Sequence, residues 1–105
     1  AVVFVSIDPE RDTPDRTAEY VSAFGSDFIG LSGTPDAIAA AARVFNVSYT
    51  RRETPDSAAG YLMNHSAFVY LVDVQGRWRV TYPYGVEAEG IVQDLRYLFE
   101  HEPQL

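Results

Sequence analysis

The residues best equipped for chemistry in this chain are Met63, Asn64, His65 and Ser66. They place a thioether, an amide and an imidazole side by side. Imidazole is the commonest protein metal ligand and the usual proton carrier near neutral pH. His65 stands at the mouth of an apolar run, Ala67 to Asp73, that is rich in β-branched and aromatic residues and is followed by Val74-Gln75-Gly76. Such a run reads as a buried strand closed by a turn. A buried strand would hold its first residue rigidly, so any chemistry is expected near His65. Residue type alone favours a blander role, a partly buried histidine bonded to a backbone carbonyl. Met63 lies two residues earlier and points the same way on an extended chain. Its ordinary role is to fill a gap in a core, with a thioether ligand as the alternative.

A second cluster, Asp8, Arg11 and Asp12, puts an acid, a base and an acid on the loop after the first apolar run. Ligands of open α/β sheets gather outside such carboxyl ends. The structural reading, a salt-bridged turn that orders the following helix, is preferred here. Tyr82-Pro83-Tyr84, with Trp78 and Tyr70, supplies aromatic surface whose default role is core packing or hairpin pairing. Docking to a basic partner is the alternative. His101 falls near the end of the last helix, where a cation suits the dipole, and reads as structural. The chain has no cysteine, which removes disulfides, zinc-thiolate sites and thiol mechanisms from these 105 residues. There is no nucleotide-binding loop, no Ser-His-Asp order and no H-E-x-x-H pattern.

These residues must be positioned by a small set of elements. Ala1 to Ile7 is continuously apolar and predicts a strand covered on both faces, the parallel-sheet pattern. Pro9 ends it. Thr13-Pro14-Asp15 starts a helix with a hydroxyl cap, a proline in the first turn and a carboxylate at the positive end of the dipole. That helix runs to about Phe24 with Thr17, Tyr20, Val21 and Phe24 on one face, and Gly25 ends it. Residues 28–33 predict a short strand or connector. Thr34-Pro35-Asp36 repeats the cap before a helix to about Phe45 that turns Ile38, Ala41, Ala42 and Phe45 inward. Val47 to Thr50 reads as extended, Arg51 to Gly60 as a polar loop with a turn at Thr54-Pro55-Asp56. Ala67–Asp73 and Trp78–Tyr82 predict a hairpin. Glu87 to about Glu100 predicts a helix with Ile91, Val92, Leu95 and Leu98 buried.

The length predicts one domain. A hydrophobic content of 47% excludes a disordered tail, and a net charge of −7 with a single basic pair, Arg51-Arg52, argues against nucleic acid and anionic membrane surfaces as partners. No apolar run approaches the ~20 residues of a spanning helix, so no membrane insertion by this segment is expected. The chain opens at Ala1 inside a strand-like run where a frayed polar end is usual, so residue 1 is expected to be a cut.

Three stretches together resemble the Sco (SenC-type) copper chaperones of cytochrome c oxidase assembly. Ser6-Ile7-Asp8-Pro9-Glu10-Arg11-Asp12-Thr13-Pro14 is similar to the family's S-x-D-P-x-R-D-T-P signature at every fixed position. Gly30-Leu31-Ser32-Gly33-Thr34 is the second stretch. Asn64-His65-Ser66 ahead of an apolar strand and an Asp-x-x-Gly turn is the third, with Asn64 where the family usually has Asp. The resemblance implies an α/β, thioredoxin-like three-layer fold that here lacks its N-terminal part, including the central cysteine-bearing strand. It implies one copper ion held by two cysteines of a C-P-x-x-C-P motif and by a histidine that maps onto His65. The cysteines map onto nothing in this chain, so copper binding by residues 1–105 is expected to be weak or absent. Asp8 and Met63 stay open as further contributors. The partner implied is the oxidase subunit carrying the binuclear copper site, and the location is the periplasmic or extracytoplasmic face of the inner membrane. A thiol-disulfide oxidoreductase or peroxidase on the same fold is the alternative for the intact parent. Loss of the central strand would leave apolar strand edges bare, so marginal stability, rearrangement or dimerisation through those edges is expected.

Overall fold

A computed structural model describes residues 1–102. The order is β1 (Val2–Val5), α1 (Pro14–Ser22), β2 (Phe28–Leu31), α2 (Pro35–Val44), β3 (Tyr49–Thr54), β4 (Gly60–His65), β5 (Phe68–Val72), β6 (Trp78–Pro83) and α3 (Ala88–His101). The described strands form three two-stranded sheets, β1-β2, β3-β4 and β5-β6. Two compact units divide the chain, one from Ala1 to Ser66 and one from Ala67 onward. None of the described helices is long and apolar enough to cross a membrane.

In the first unit, β1 and β2 run parallel with Val3 opposite Ile29 and Phe4 opposite Gly30, joined through α1 as a β-α-β crossover. The apolar run therefore makes a parallel strand as its pattern predicts. Cover on both faces is not found: all four residues of β1 are exposed, Val3 at 52%. Both threonine caps form. Thr13 Oγ1 accepts from the Arg16 amide at 3.3 Å, and Thr34 Oγ1 accepts from the Ala37 amide at 3.1 Å. In each helix a proline follows the cap, where its missing N–H costs nothing. Thr17 and Val21 of α1 are buried, as are Ile38 and Ala42 of α2, while Tyr20 and Phe24 of α1's expected inner face stay exposed. The end of α2 is set by Asn46, whose φ of 57° is the left-handed conformation that Asn tolerates after a helix.

Half of the predicted loop over residues 51–60 is strand: residues 51–54 belong to β3 and Gly60 opens β4. β3 and β4 form an antiparallel hairpin with Tyr49 opposite His65, Arg51 opposite Met63 and Glu53 opposite Tyr61. Polar residues with Pro55 and Gly60 predict a loop, but the ribbon accommodates the charges: Arg52 lies on its outer face, while Arg51 on the inner face is neutralised by Glu10 and Glu53. The expected turn at Thr54-Pro55-Asp56 is present, closed by the Ser57 amide on the Thr54 carbonyl at 2.9 Å.

In the second unit, β5 and β6 are the predicted hairpin, with Val69 opposite Tyr82. Tyr70 and Trp78 meet edge to face at 5.2 Å, which is the pairing role expected of these aromatics. Asp73 organises the turn. Its side chain is fully buried and accepts from the Gln75 and Arg77 amides and from the Arg77 and Arg79 guanidinium groups. Arg79 reaches on to Glu102 at 2.7 Å, tying the hairpin to the end of α3. Of the predicted α3 stripe Leu98 is buried, Ile91 and Leu95 are half-buried and Val92 is exposed.

Candidate metal-ligand site

His65 is the last residue of β4, so its strand is the hairpin β3-β4 and not the apolar run that follows it. The hairpin end is zipped by Ser66, whose amide donates to the Ser48 carbonyl at 2.9 Å and whose Oγ accepts from the Ser48 amide at 3.2 Å. The imidazole is exposed, with Nδ1 2.9 Å from the Ser66 carbonyl oxygen. A carbonyl only accepts, so Nδ1 is the donor in this contact, and in the neutral ring that leaves the lone pair on Nε2. That tautomer is the one a metal-binding histidine uses when its other nitrogen is anchored to the backbone.

Because directly opposed residues share a sheet face, Tyr49, Arg51, Glu53, Tyr61, Met63 and His65 lie on one side of the ribbon. That side looks across a cavity of about 420 Å³ at Ile7, Asp8, Pro9 and Glu10 of the loop after β1 and at Pro35 and Ile38 of α2. Met63 lines this cavity and so shares His65's face, as its spacing predicts. Among the described residues no group of three or more His, Cys, Asp or Glu is arranged to hold a metal ion. At this end of the hairpin the ribbon face carries the His65 imidazole and the Met63 thioether.

The Asp8-Arg11-Asp12 loop is the salt-bridged turn expected of it, and its reach is wider. Arg11 Nε lies 3.4 Å from Asp8 Oδ2, and the Asp12 amide donates to the Asp8 carbonyl at 2.9 Å. Ser6 Oγ donates to Asp12 Oδ2 at 2.6 Å, while Ser32 Oγ donates to the Asp12 carbonyl, which binds the Ser6–Pro14 stretch to the Gly30–Thr34 stretch. The third stretch is joined through Tyr61. Its hydroxyl donates to Asp8 at 2.8 Å, and Arg11 donates to the Tyr61 carbonyl. The ring lies between two guanidinium groups, Arg11 at 3.5 Å and Arg51 at 3.8 Å from its centroid. Arg51 is held in turn by Glu10 at 2.6 Å and Glu53 at 2.7 Å. Burial, then the bond to Asp8, raises the Tyr61 phenol above its ordinary value. Tyr61 and Arg51 are the residues that reading the sequence left out. The available signal was the period-two spacing of Tyr49, Arg51 and Glu53 against Tyr61, Met63 and His65.

His101, at the other end of the chain, has Nδ1 2.8 Å from the Tyr97 carbonyl and stacks on the Tyr97 ring at 4.1 Å.

The fold of the chain is the α/β, thioredoxin-like arrangement of known Sco structures. The apo Sco1 protein of Thermus thermophilus superposes with a TM-score of 0.82 at 39% identity, covering 92% of this chain and 56% of that one. The copper-bound ScoI of Arabidopsis thaliana gives 0.79 at 36% identity, covering 90% and 60%. The SCO1/SenC family profile matches residues 1–100, and the chain belongs to that family. An SCO2-like protein of Rickettsia prowazekii is 34% identical over 100 residues, which are 95% of this chain and 47% of the relative. The mitochondrial SCO1 homolog 1 of Arabidopsis thaliana is 37% identical over 98 residues, 90% of this chain and 29% of the relative. The chain thus spans less than half the length of these curated relatives.

Proposed function

We propose that these residues are the C-terminal portion of a copper-delivery protein that serves assembly of the cytochrome c oxidase copper centre, with His65 as a metal ligand. The observation that carries the reading is the His65 ring: Nδ1 donates to the Ser66 carbonyl, and the residue is exposed at the end of a paired strand, with Nε2 the nitrogen not used in that bond. A copper-bound relative of the same fold, at 36% identity, supports copper as the metal. Copper(I) prefers soft thiolates, and one imidazole is a poor site alone. Two thiolates from a C-P-x-x-C-P segment upstream of residue 1 would complete it. The two compact units are parts of one Sco-type domain in this reading, because the family match runs across both.

The receiving protein is the oxidase subunit that carries the binuclear copper site, met at the periplasmic or extracytoplasmic face of the inner membrane. A net charge of −7 suits a basic docking surface there. The bare apolar strand β1 also supports self-association of residues 1–105, which size-exclusion chromatography reads directly.

Copper(I) titration against a colorimetric chelator tests the ligand role. Residues 1–105 alone should bind no more tightly than micromolar, whereas the longer protein with both cysteines should bind tightly and lose about tenfold or more with His65→Ala. Unchanged affinity in that variant would remove His65 from the site. A submicromolar site in residues 1–105 would overturn the need for upstream thiolates.

A further inference from the structure

Among the described residues the β3-β4 ribbon pairs with no other strand. A lone two-stranded ribbon is marginal in water, so something else must fix its direction. Its inner face borders the cavity of about 420 Å³ shared with the loop after β1 and with α2, and Tyr61 is the side chain of that face that is buried. What crosses the gap is a set of side chains. Tyr61, only 7% exposed, gives its hydroxyl to Asp8, takes Arg11 on its backbone carbonyl and has Arg11 and Arg51 on its two ring faces. Arg11 also reaches the Ala59 carbonyl at 3.4 Å, and Arg51 reaches Glu10 on the same loop.

We propose that Tyr61 is a positioning residue for His65, with the Asp8–Arg11–Tyr61 clamp setting where the ribbon carries the imidazole. The inference rests on the copper reading above. Tyr61 and His65 share one strand face and are four residues apart, roughly 13 Å along an extended chain. A tilt of about 10° at the clamp would then move His65 by about 2 Å, using the same rise per residue. Metal–ligand distances tolerate about 0.2 Å. The clamp therefore controls whether the imidazole can reach a metal held elsewhere, without touching that metal itself. It also explains why the Ser6–Pro14 stretch and the Asn64–Ser66 stretch occur together in one chain: the first supplies the anchor for the ribbon that ends in the second.

The test uses the longer, cysteine-bearing protein with Tyr61→Leu, which removes the ring and the hydroxyl, and Tyr61→Phe, which removes the hydroxyl alone and keeps the packing. Copper(I) affinity is measured for each in the native and His65→Ala backgrounds. Exchange of the Ser66 amide is followed in the copper-free protein. Tyr61→Leu should weaken copper binding about tenfold when His65 is present and hardly at all when it is not. Ser66 exchange should quicken about tenfold while the Ser6 amide, bonded to Leu31 in the β1-β2 sheet, keeps its protection. Tyr61→Phe should move both readouts in the same direction by less. Equal weakening in both backgrounds would make Tyr61 a general stability residue and overturn the proposal, as would unchanged Ser66 exchange in both variants. If His65→Ala itself leaves copper affinity intact, the copper reading fails, and Ser66 exchange alone then decides whether Tyr61 fixes the ribbon.

Discussion

Gly30 is the point where the first unit tolerates least. A Cβ built there would lie 2.5 Å from the Thr17 carbonyl oxygen, 2.8 Å from its carbonyl carbon and 2.9 Å from its Cγ2. Two of the three atoms belong to the backbone of α1, so no rotamer change relieves the overlap. Ordinary contact begins near 3.4 Å, and the helix would have to lift by about 0.9 Å. Thr17 and Val21 are the buried residues of that helix, at 2% and 3% exposure, and they would lose their seat on β2. Forced overpacking of this kind costs about 1–3 kcal/mol. Alanine returns a part, roughly 0.4–1 kcal/mol, by restricting the unfolded chain. Because the obstacle is backbone, the upper half of the range applies, and Gly30→Ala should lower stability by about 2 kcal/mol. For a domain of this size that is a fall of roughly 8–16 °C in Tm. Gly33→Ala is the control. Its Cβ would meet only the Ala37 Cβ, at an ordinary 3.6 Å, so stability should stay within about 0.5 kcal/mol of the parent or rise slightly. Urea unfolding followed by circular dichroism measures both. If the two variants unfold at the same midpoint, the close approach of β2 to α1 is wrong.

Two further outcomes follow from single contacts. Thr34→Ala removes the oxygen that accepts from the Ala37 amide at 3.1 Å and should cost about 1 kcal/mol in urea unfolding, with Thr34→Ser recovering most of it. The Asp73 carboxyl is pushed up by its burial, but the Arg77 amide and the Arg77 and Arg79 guanidinium groups outweigh that and hold it at about 2, below the ordinary 3.8. A depressed carboxyl stabilises the fold above its unfolded value and loses that contribution as pH falls from about 4 through about 2. The parent should therefore lose stability across that window in acid titrations followed by thermal melts, and Asp73→Asn should lose less there; parallel curves would refute the linkage.

How far the sequence could be read depended on whether a segment carried its own local instruction. Thr13-Pro14-Asp15 and Thr34-Pro35-Asp36 did: a cap needs only its own helix, and both formed where the residues predict. Asp73 and Gly76 likewise set the β5-β6 turn within a few residues. The S-x-D-P-x-R-D-T-P stretch was legible as a motif, and its Asp8–Arg11 pair as a turn. Its reach across the chain to Tyr61, some fifty residues on, was not. Burial was read least well. Continuous apolar sequence in β1 predicted a strand with two covered faces, and all four residues are exposed, because hydropathy states what a face prefers and not whether a covering element is present. β5 repeats the lesson, with Phe68 at 48% and Val69 at 50% exposure.

The error over residues 51–60 has the most bearing on function, since it placed His65 on the wrong strand. Arg51, Arg52 and Glu53 are polar enough for a loop, and a loop would have left His65 as the first residue of a buried strand, positioned by packing. The hairpin gives it a different mechanical basis. An imidazole at the end of an isolated ribbon is placed by whatever grips that ribbon upstream, and the charges that suggested a loop supply the grip. Arg51 takes Glu10, Glu53 and one face of Tyr61, while Arg11 takes Asp8 and the other face. It follows that the histidine's placement should respond to substitutions at Asp8, Arg11 and Tyr61, at the far end of the ribbon's inner face, as much as to changes beside the ring.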